Sequence, residues 1–146
     1  VFANRLDLDE LRAAVTPRTR FVLLNSPHNP TGIVFTPDEL AEVARIAIEN
    51  DVLVLSDEAY EHLWFDGHRH VPIATLPGMR ERTVLLHGFS KAFAMTGWRL
   101  GWVVLPDPSR MREFEKLAQQ RQSPPQRLAV PAALRAAGPD GTAPGA

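Results

Sequence analysis

Three short apolar runs set the frame of this chain: Phe21-Val22-Leu23-Leu24, Val52-Leu53-Val54-Leu55 and Thr83-Val84-Leu85-Leu86. None shows the polar alternation of a half-exposed strand, so each predicts a strand buried on both faces. Between the first two stands a strong helix start, Thr36-Pro37-Asp38-Glu39, with a Thr cap, Pro at the first position and Glu at the third. Leu40, Val43, Ala44, Ala47 and Ile48 then fall on one helical face, and Asn50-Asp51 closes it. Strand, helix, strand in this order predicts a parallel pair with a right-handed crossover. Asp7 and Glu10 have capping-box spacing, which predicts a short helix over 8–15. Asp107-Pro108 predicts a helix to about Gln122, and 126–137 another despite Pro131. Pro72 to Pro77 reads as a loop before the third strand, and there are no internal repeats.

This layout already carries a functional argument. Asn29, Asp57 and Lys91 each follow the carboxyl end of one apolar run. Open α/β sheets bind ligands along that edge, so the pattern puts the three groups on one rim. After the third run comes Gly88-Phe89-Ser90-Lys91-Ala92-Phe93-Ala94-Met95-Thr96-Gly97-Trp98-Arg99-Leu100-Gly101. A lysine at the end of a buried strand can be partly desolvated, which makes its amine a usable nucleophile. Ser90 and Arg99 offer a hydroxyl and a guanidinium suited to a phosphate. An amine beside a phosphate site points to Schiff-base chemistry with pyridoxal phosphate.

Composition narrows the alternatives. The 146 residues suit one domain, and 45% hydrophobic with 23% charged content is ordinary for a globular chain. A net charge of −1 gives no electrostatic footprint for nucleic acid or an anionic membrane. No apolar run approaches a membrane span. The absence of cysteine excludes disulfides and thiolate metal sites and fits a cytoplasmic protein. The chain begins at Val1 without an initiator Met and reads as the middle of a larger enzyme; 138–146 reads as a disordered tail.

Two further segments, Asn25-Ser26-Pro27-His28-Asn29-Pro30-Thr31-Gly32 and Ser56-Asp57-Glu58-Ala59-Tyr60, stand ahead of the lysine segment. In this order and at these separations the trio resembles the class I/II aminotransferases of the aspartate aminotransferase fold. The resemblance covers roughly residues 1 to 135 and is weakest after Gln120. It implies an α/β, three-layer αβα domain, with 1–137 forming part of the large, cofactor-binding domain. It implies an enzyme that moves an amino group between an L-amino acid and a 2-oxo acid, usually as a homodimer.

The resemblance also implies roles. Lys91 would hold the cofactor as a Schiff base, then carry the proton between the substrate α-carbon and cofactor C4′. Asp57 would pair with the pyridine nitrogen, with Glu58 the weaker choice. Tyr60 and Asn29 would bond the phenolic oxygen, and Ser90 and Arg99 the phosphate. Relatives often carry a hydroxyl residue three before the lysine, where this chain has Gly88. Gly97 and Gly101 would allow close backbone approach around Arg99. The substrate-carboxylate arginine, the cofactor-stacking aromatic and the partner-subunit residues of the family match nothing here, so the isolated chain is expected to be a poor catalyst.

Other readings are weaker. Asp66, His68 and His70, with His62 nearby, lack a regular metal-ligand frame and read as solvated loop, so no metal is expected. His28 and His87 flank motif residues and read as neighbours of the pocket. Trp64, Trp98 and Trp102 read as packing residues. Gly88-Phe89-Ser90-Lys91-Ala92 approximates a hydrolase nucleophile elbow, but all five histidines precede Ser90, against the Ser, acid, His order. A C–S β-lyase, or a non-catalytic sensor module of a transcription regulator, would share the cofactor motifs.

Arg99 yields a topological expectation. It opens the run Leu100–Leu105, yet the rim lies at the carboxyl ends of the parallel strands. The stretch from Lys91 to Trp98 is too short for a helical crossover. Leu100–Leu105 is therefore expected to run antiparallel in an otherwise parallel sheet.

Overall fold

The computed structural model describes residues 5–113, 115–116 and 129–137. Strands β1 (Phe21–Asn25), β2 (Leu53–Asp57), β3 (Thr83–Gly88) and β4 (Gly101–Val104) form one sheet in that order. The β1–β2 and β2–β3 pairs are parallel and β3–β4 is antiparallel, as the position of Arg99 demands. The reversal is made by a tight loop. Met95 N–H donates to Phe89 O at 3.0 Å, and Phe89 N–H donates to Leu100 O at 3.1 Å.

Helix α1 (Leu8–Ala14) starts where Asp7 accepts the Glu10 N–H at 2.8 Å. Helix α2 (Pro37–Glu49) is the crossover between β1 and β2. Its capping box is reciprocal: Thr36 Oγ1 accepts the Glu39 N–H at 3.2 Å, and Glu39 accepts the Thr36 N–H at 2.7 Å. Burial pushes the Glu39 carboxyl up, but the bonds from Thr36 and Arg5 outweigh it and hold the group below its usual range. Leu40, Val43, Ala44 and Ala47 pack with Leu24 and Val54. The expected helix face is displaced in one respect. Ile46 is buried and Ile48 is 43% exposed, because the buried stripe extends toward Glu39 and Ile46. Ile48 lies instead against the turn at Gly78.

Two expectations change. The segment before β3 is more than a loop: it holds the 3-10 turns Ile73–Thr75 and Arg80–Arg82 and sends Ile73 and Met79 fully into the core. The apolar runs are also not buried on both faces throughout. Side chains alternate along a strand, so Leu24 and Val54 meet α2 while Phe21, Leu23 and Leu53 point the other way. Those three are 54%, 64% and 43% exposed.

Beyond β4, Asp107 accepts the Ser109 N–H at 2.9 Å and opens the 3-10 turn Pro108–Arg110. The Ser109 hydroxyl, and after it the Ser109 N–H, hold the exposed Asp107 carboxyl below its usual range. Residues 111–113 and 115–116 are helical; the expected continuation through 117–122 lies outside the described residues. A second helix spans Ala129–Ala137 and includes Pro131, while 126–128 and the tail at 138–146 also lie outside them. No described helix is long and apolar enough to cross a membrane.

Candidate active site

The carboxyl ends of β1, β2 and β3 meet in register, with Asn25 opposite Asp57 and Asp57 opposite Leu86. Past this edge opens a groove of about 710 Å³, and Asn29, Asp57, Tyr60, Ser90, Lys91 and Arg99 all line it. These six motif residues thus reach one groove, including Arg99, which stands just ahead of the reversed strand.

Asp57 is half-buried and oriented at both oxygens. Oδ2 accepts from Asn25 Nδ2 at 3.0 Å, and Oδ1 accepts the Ala59 N–H at 3.2 Å. Asn25 Oδ1 in turn accepts the Asn29 N–H at 3.1 Å. Asn25 therefore fixes two site residues at once, a role sequence reasoning missed. Its signal was there: a polar amide closing an apolar run at a ligand-binding edge.

The other side of the groove is cationic. Lys91 is exposed, with Nζ 5.2 Å from the centre of the Tyr60 ring. Thr96 Oγ1 donates to Ser90 O at 2.8 Å, and Arg99 Nη1 donates to Thr96 O at 3.0 Å. Ser90, Thr96 and Arg99 are thereby tied into one loop. Arg99 has φ +51°, the left-handed region that non-glycine residues seldom occupy. Such strain persists only where the surroundings over-determine it, and it clusters at ligand clamps.

The two glycines near Arg99 differ. A Cβ on Gly101 would lie 2.7 Å from His87 O, so close approach of β4 to β3 needs glycine there. Nothing lies within 4 Å of a Cβ on Gly97, so Gly97 does not serve the close approach expected of it.

The histidines also divide. His62 and His68 are exposed as expected, but His70 is not solvated loop. Its side chain is 6% exposed, and Nε2 lies 2.9 Å from Oε2 of the fully buried Glu58. A buried carboxylate demands partners, and Glu58 Oε1 takes its second from Ser56 Oγ at 2.8 Å. Glu58, Glu61 and His70 bring their ligand atoms within 4.8 Å of one another. Both Glu58 oxygens are already bonded to protein, while the buried His70 Nδ1 has no hydrogen-bond partner among the described residues. His28 bonds within its own loop, Nδ1 to Thr31 Oγ1 at 2.7 Å. His87 lies beneath the groove and stacks on Trp102, with ring centres 4.2 Å apart. Trp102 packs as expected, whereas Trp64 and Trp98 are 37% and 38% exposed.

Comparison with known proteins bears on this geometry. The family model for aminotransferase class I and II matches residues 2–140. Over 103 residues the chain is 52% identical to aromatic-amino-acid aminotransferase 2 of Thermococcus litoralis, covering 70% of this chain and 26% of that protein. It is 50% identical, over 70% of this chain, to kynurenine–oxoglutarate transaminase 1 of Mus musculus, of which it covers 24%. Among solved structures, N-succinyldiaminopimelate aminotransferase of Mycobacterium tuberculosis superposes with a TM-score of 0.77 at 44% identity, covering 90% of this chain and 35% of that one. The aspartate aminotransferase of Thermus thermophilus with maleate gives 0.77 at 38% identity, covering 86% and 32%. The chain spans about a quarter of the length of the curated relatives it matches. Motif order, mixed sheet and family match agree: the chain belongs to the class I and II aminotransferases.

Proposed function

We propose that the protein containing this chain is a pyridoxal 5′-phosphate-dependent aminotransferase acting between an L-amino acid and a 2-oxo acid, with Lys91 as the attachment point. The observation that carries the reading is the shared groove: one anion, one amine, one guanidinium and their hydroxyl and amide neighbours at a single sheet edge. The donor set fits the cofactor. Asp57 offers a carboxylate, already oriented by Asn25 and Ala59, for a protonated ring nitrogen. Ser90 and Arg99 offer donors for a phosphate, and the Lys91 amine in the same groove lies 5.2 Å from the centre of the Tyr60 ring.

When bound, the cofactor supplies an electron sink for the substrate α-carbon. The chain's own residues do the rest. Asp57 would hold a proton on the ring nitrogen by its opposite charge. Tyr60 and Asn29 would orient the phenolic oxygen. Ser90 and Arg99 would hold the phosphate end, which would keep the Lys91 amine at a constant position for moving the substrate α-proton. We read residues 1–137 as part of the cofactor-binding domain of a homodimer. The cysteine-free composition is compatible with a cytoplasmic setting.

Borohydride reduction in the presence of pyridoxal phosphate, followed by peptide mapping, tests this. The covalent label is expected on Lys91. A label on Lys116 with none on Lys91 would sink the assignment.

A further inference from the structure

His87 is the most constrained side chain under the groove, and no step above uses it. Its side chain is 2% exposed and sits between the two turns that carry Tyr60 and Lys91. The Gly88 N–H donates to Nδ1 at 2.7 Å, which fixes the tautomer with the proton on Nε2. Nε2 then lies 2.7 Å from Glu61 Oε1. The contact is bent off the N–H direction, which leaves Nε2 short of a well-formed hydrogen bond. The ring stacks on Trp102 at 18°, and Phe89 packs on that indole at 4.8 Å, two residues before Lys91.

Glu61 directly follows Tyr60. Its N–H donates to Glu58 O at 3.0 Å, and the Glu58 N–H donates to Leu86 O at 3.0 Å. The Tyr60 turn is therefore fastened to β3 twice: by backbone at Glu58–Leu86, and by side chains at Glu61–His87. The second tether is made at Glu61, the residue next to Tyr60. We propose that His87 is a positioning residue, locking the Tyr60 turn to the Lys91 turn so that phenol and amine keep their mutual placement. The role deepens the cofactor reading above and rests on it. It works through polar contacts at both ring nitrogens, not through ring volume. A displacement of about 1 Å at such a site costs on the order of a hundredfold in rate, so partial loosening should be large enough to measure.

The test uses the full-length holoenzyme with His87→Phe, His87→Gln and Glu61→Ala. Phe keeps the ring and its stacking on Trp102 but has no polar atom; Gln keeps a donor near the Nε2 position. The readouts are the absorbance band of bound cofactor across pH, cofactor dissociation, and kcat and KM separately. His87→Phe and Glu61→Ala are each expected to move the band's pH dependence and to lower kcat about tenfold or more with little change in KM. His87→Gln should restore most of both. If His87→Phe matches wild type while His87→Gln is impaired, the ring serves packing alone and the positioning role is overturned. Glu61→Ala with a wild-type band and kcat overturns it as well, independently of how the His87 variants fold. A wild-type enzyme with no cofactor band would overturn the cofactor reading itself, and this role with it.

Discussion

Gly101→Ala makes the sharpest use of the reversed strand. The added Cβ would stand 2.7 Å from His87 O and 3.6 Å from Gly88 Cα, where ordinary contacts begin near 3.4 Å. Both obstacles are backbone, so no side-chain rotation relieves them. β4 must back away from β3 by about 0.7 Å at this pair, and overpacking of that kind costs roughly 1–3 kcal/mol. Among the described residues β4 is paired only to β3, so the strand can yield rather than the sheet break. The movement is delivered two residues upstream, to Arg99, whose backbone is already in the left-handed region. The expected result is a lower melting temperature and cofactor affinity weakened about tenfold, equivalent to roughly 1.4 kcal/mol. Thermal melting and a cofactor titration would measure the two effects. Gly97→Ala is the control, because its Cβ meets nothing within 4 Å and its φ is not positive. Wild-type affinity and stability in Gly101→Ala would refute the argument, as would an equal loss in Gly97→Ala.

Two further outcomes are expected. Asp57→Asn should leave the fold intact and reduce transamination by orders of magnitude, with a smaller loss of cofactor binding; wild-type turnover in that variant would reduce Asp57 to a cap on the Asp57–Tyr60 turn. Contact with the His87 ring, assisted by the charges of His62 and His70, holds the Glu61 carboxyl below its ordinary value of about 4.5 against the opposing effect of burial. A carboxyl lowered by folding stabilises the folded state above its unfolded value, and that stability is lost as pH falls through the folded value. Denaturant midpoints should therefore drop on acidification below about 4.5, and His87→Phe should flatten that part of the curve; a wild-type acid profile in the variant would contradict the assignment.

What the sequence disclosed is what depends on local chemistry. The Thr36 capping box, the three runs and the residues after them follow from propensity and spacing, and they brought the motif residues to one edge. Even the reversal of β4 was legible, because Arg99 had to reach that edge without room for a crossover. Most of the misses depend on what a local pattern does not show. His70 looked like solvated loop because its reason for burial is Glu58, twelve positions earlier. Ile73 and Met79 hid in a proline-rich stretch whose 3-10 turns have no apolar period of their own. Asn25 was passed over because its function is to bond Asp57 across the strand pair, which no one-dimensional pattern displays.

The Glu58–His70 contact has a practical consequence for altering this chain. It closes the base of an excursion whose residues 62–69 are all exposed. With the base fastened, extra length costs only loop-closure entropy, about 0.6 kcal/mol for each doubling. That excursion is therefore the place to graft a tag, a reporter or a binding peptide close to the groove. The stretch from Lys91 to Arg99 is the opposite case. Internal bonds fix its span, and one inserted residue there would pull amine and guanidinium out of register.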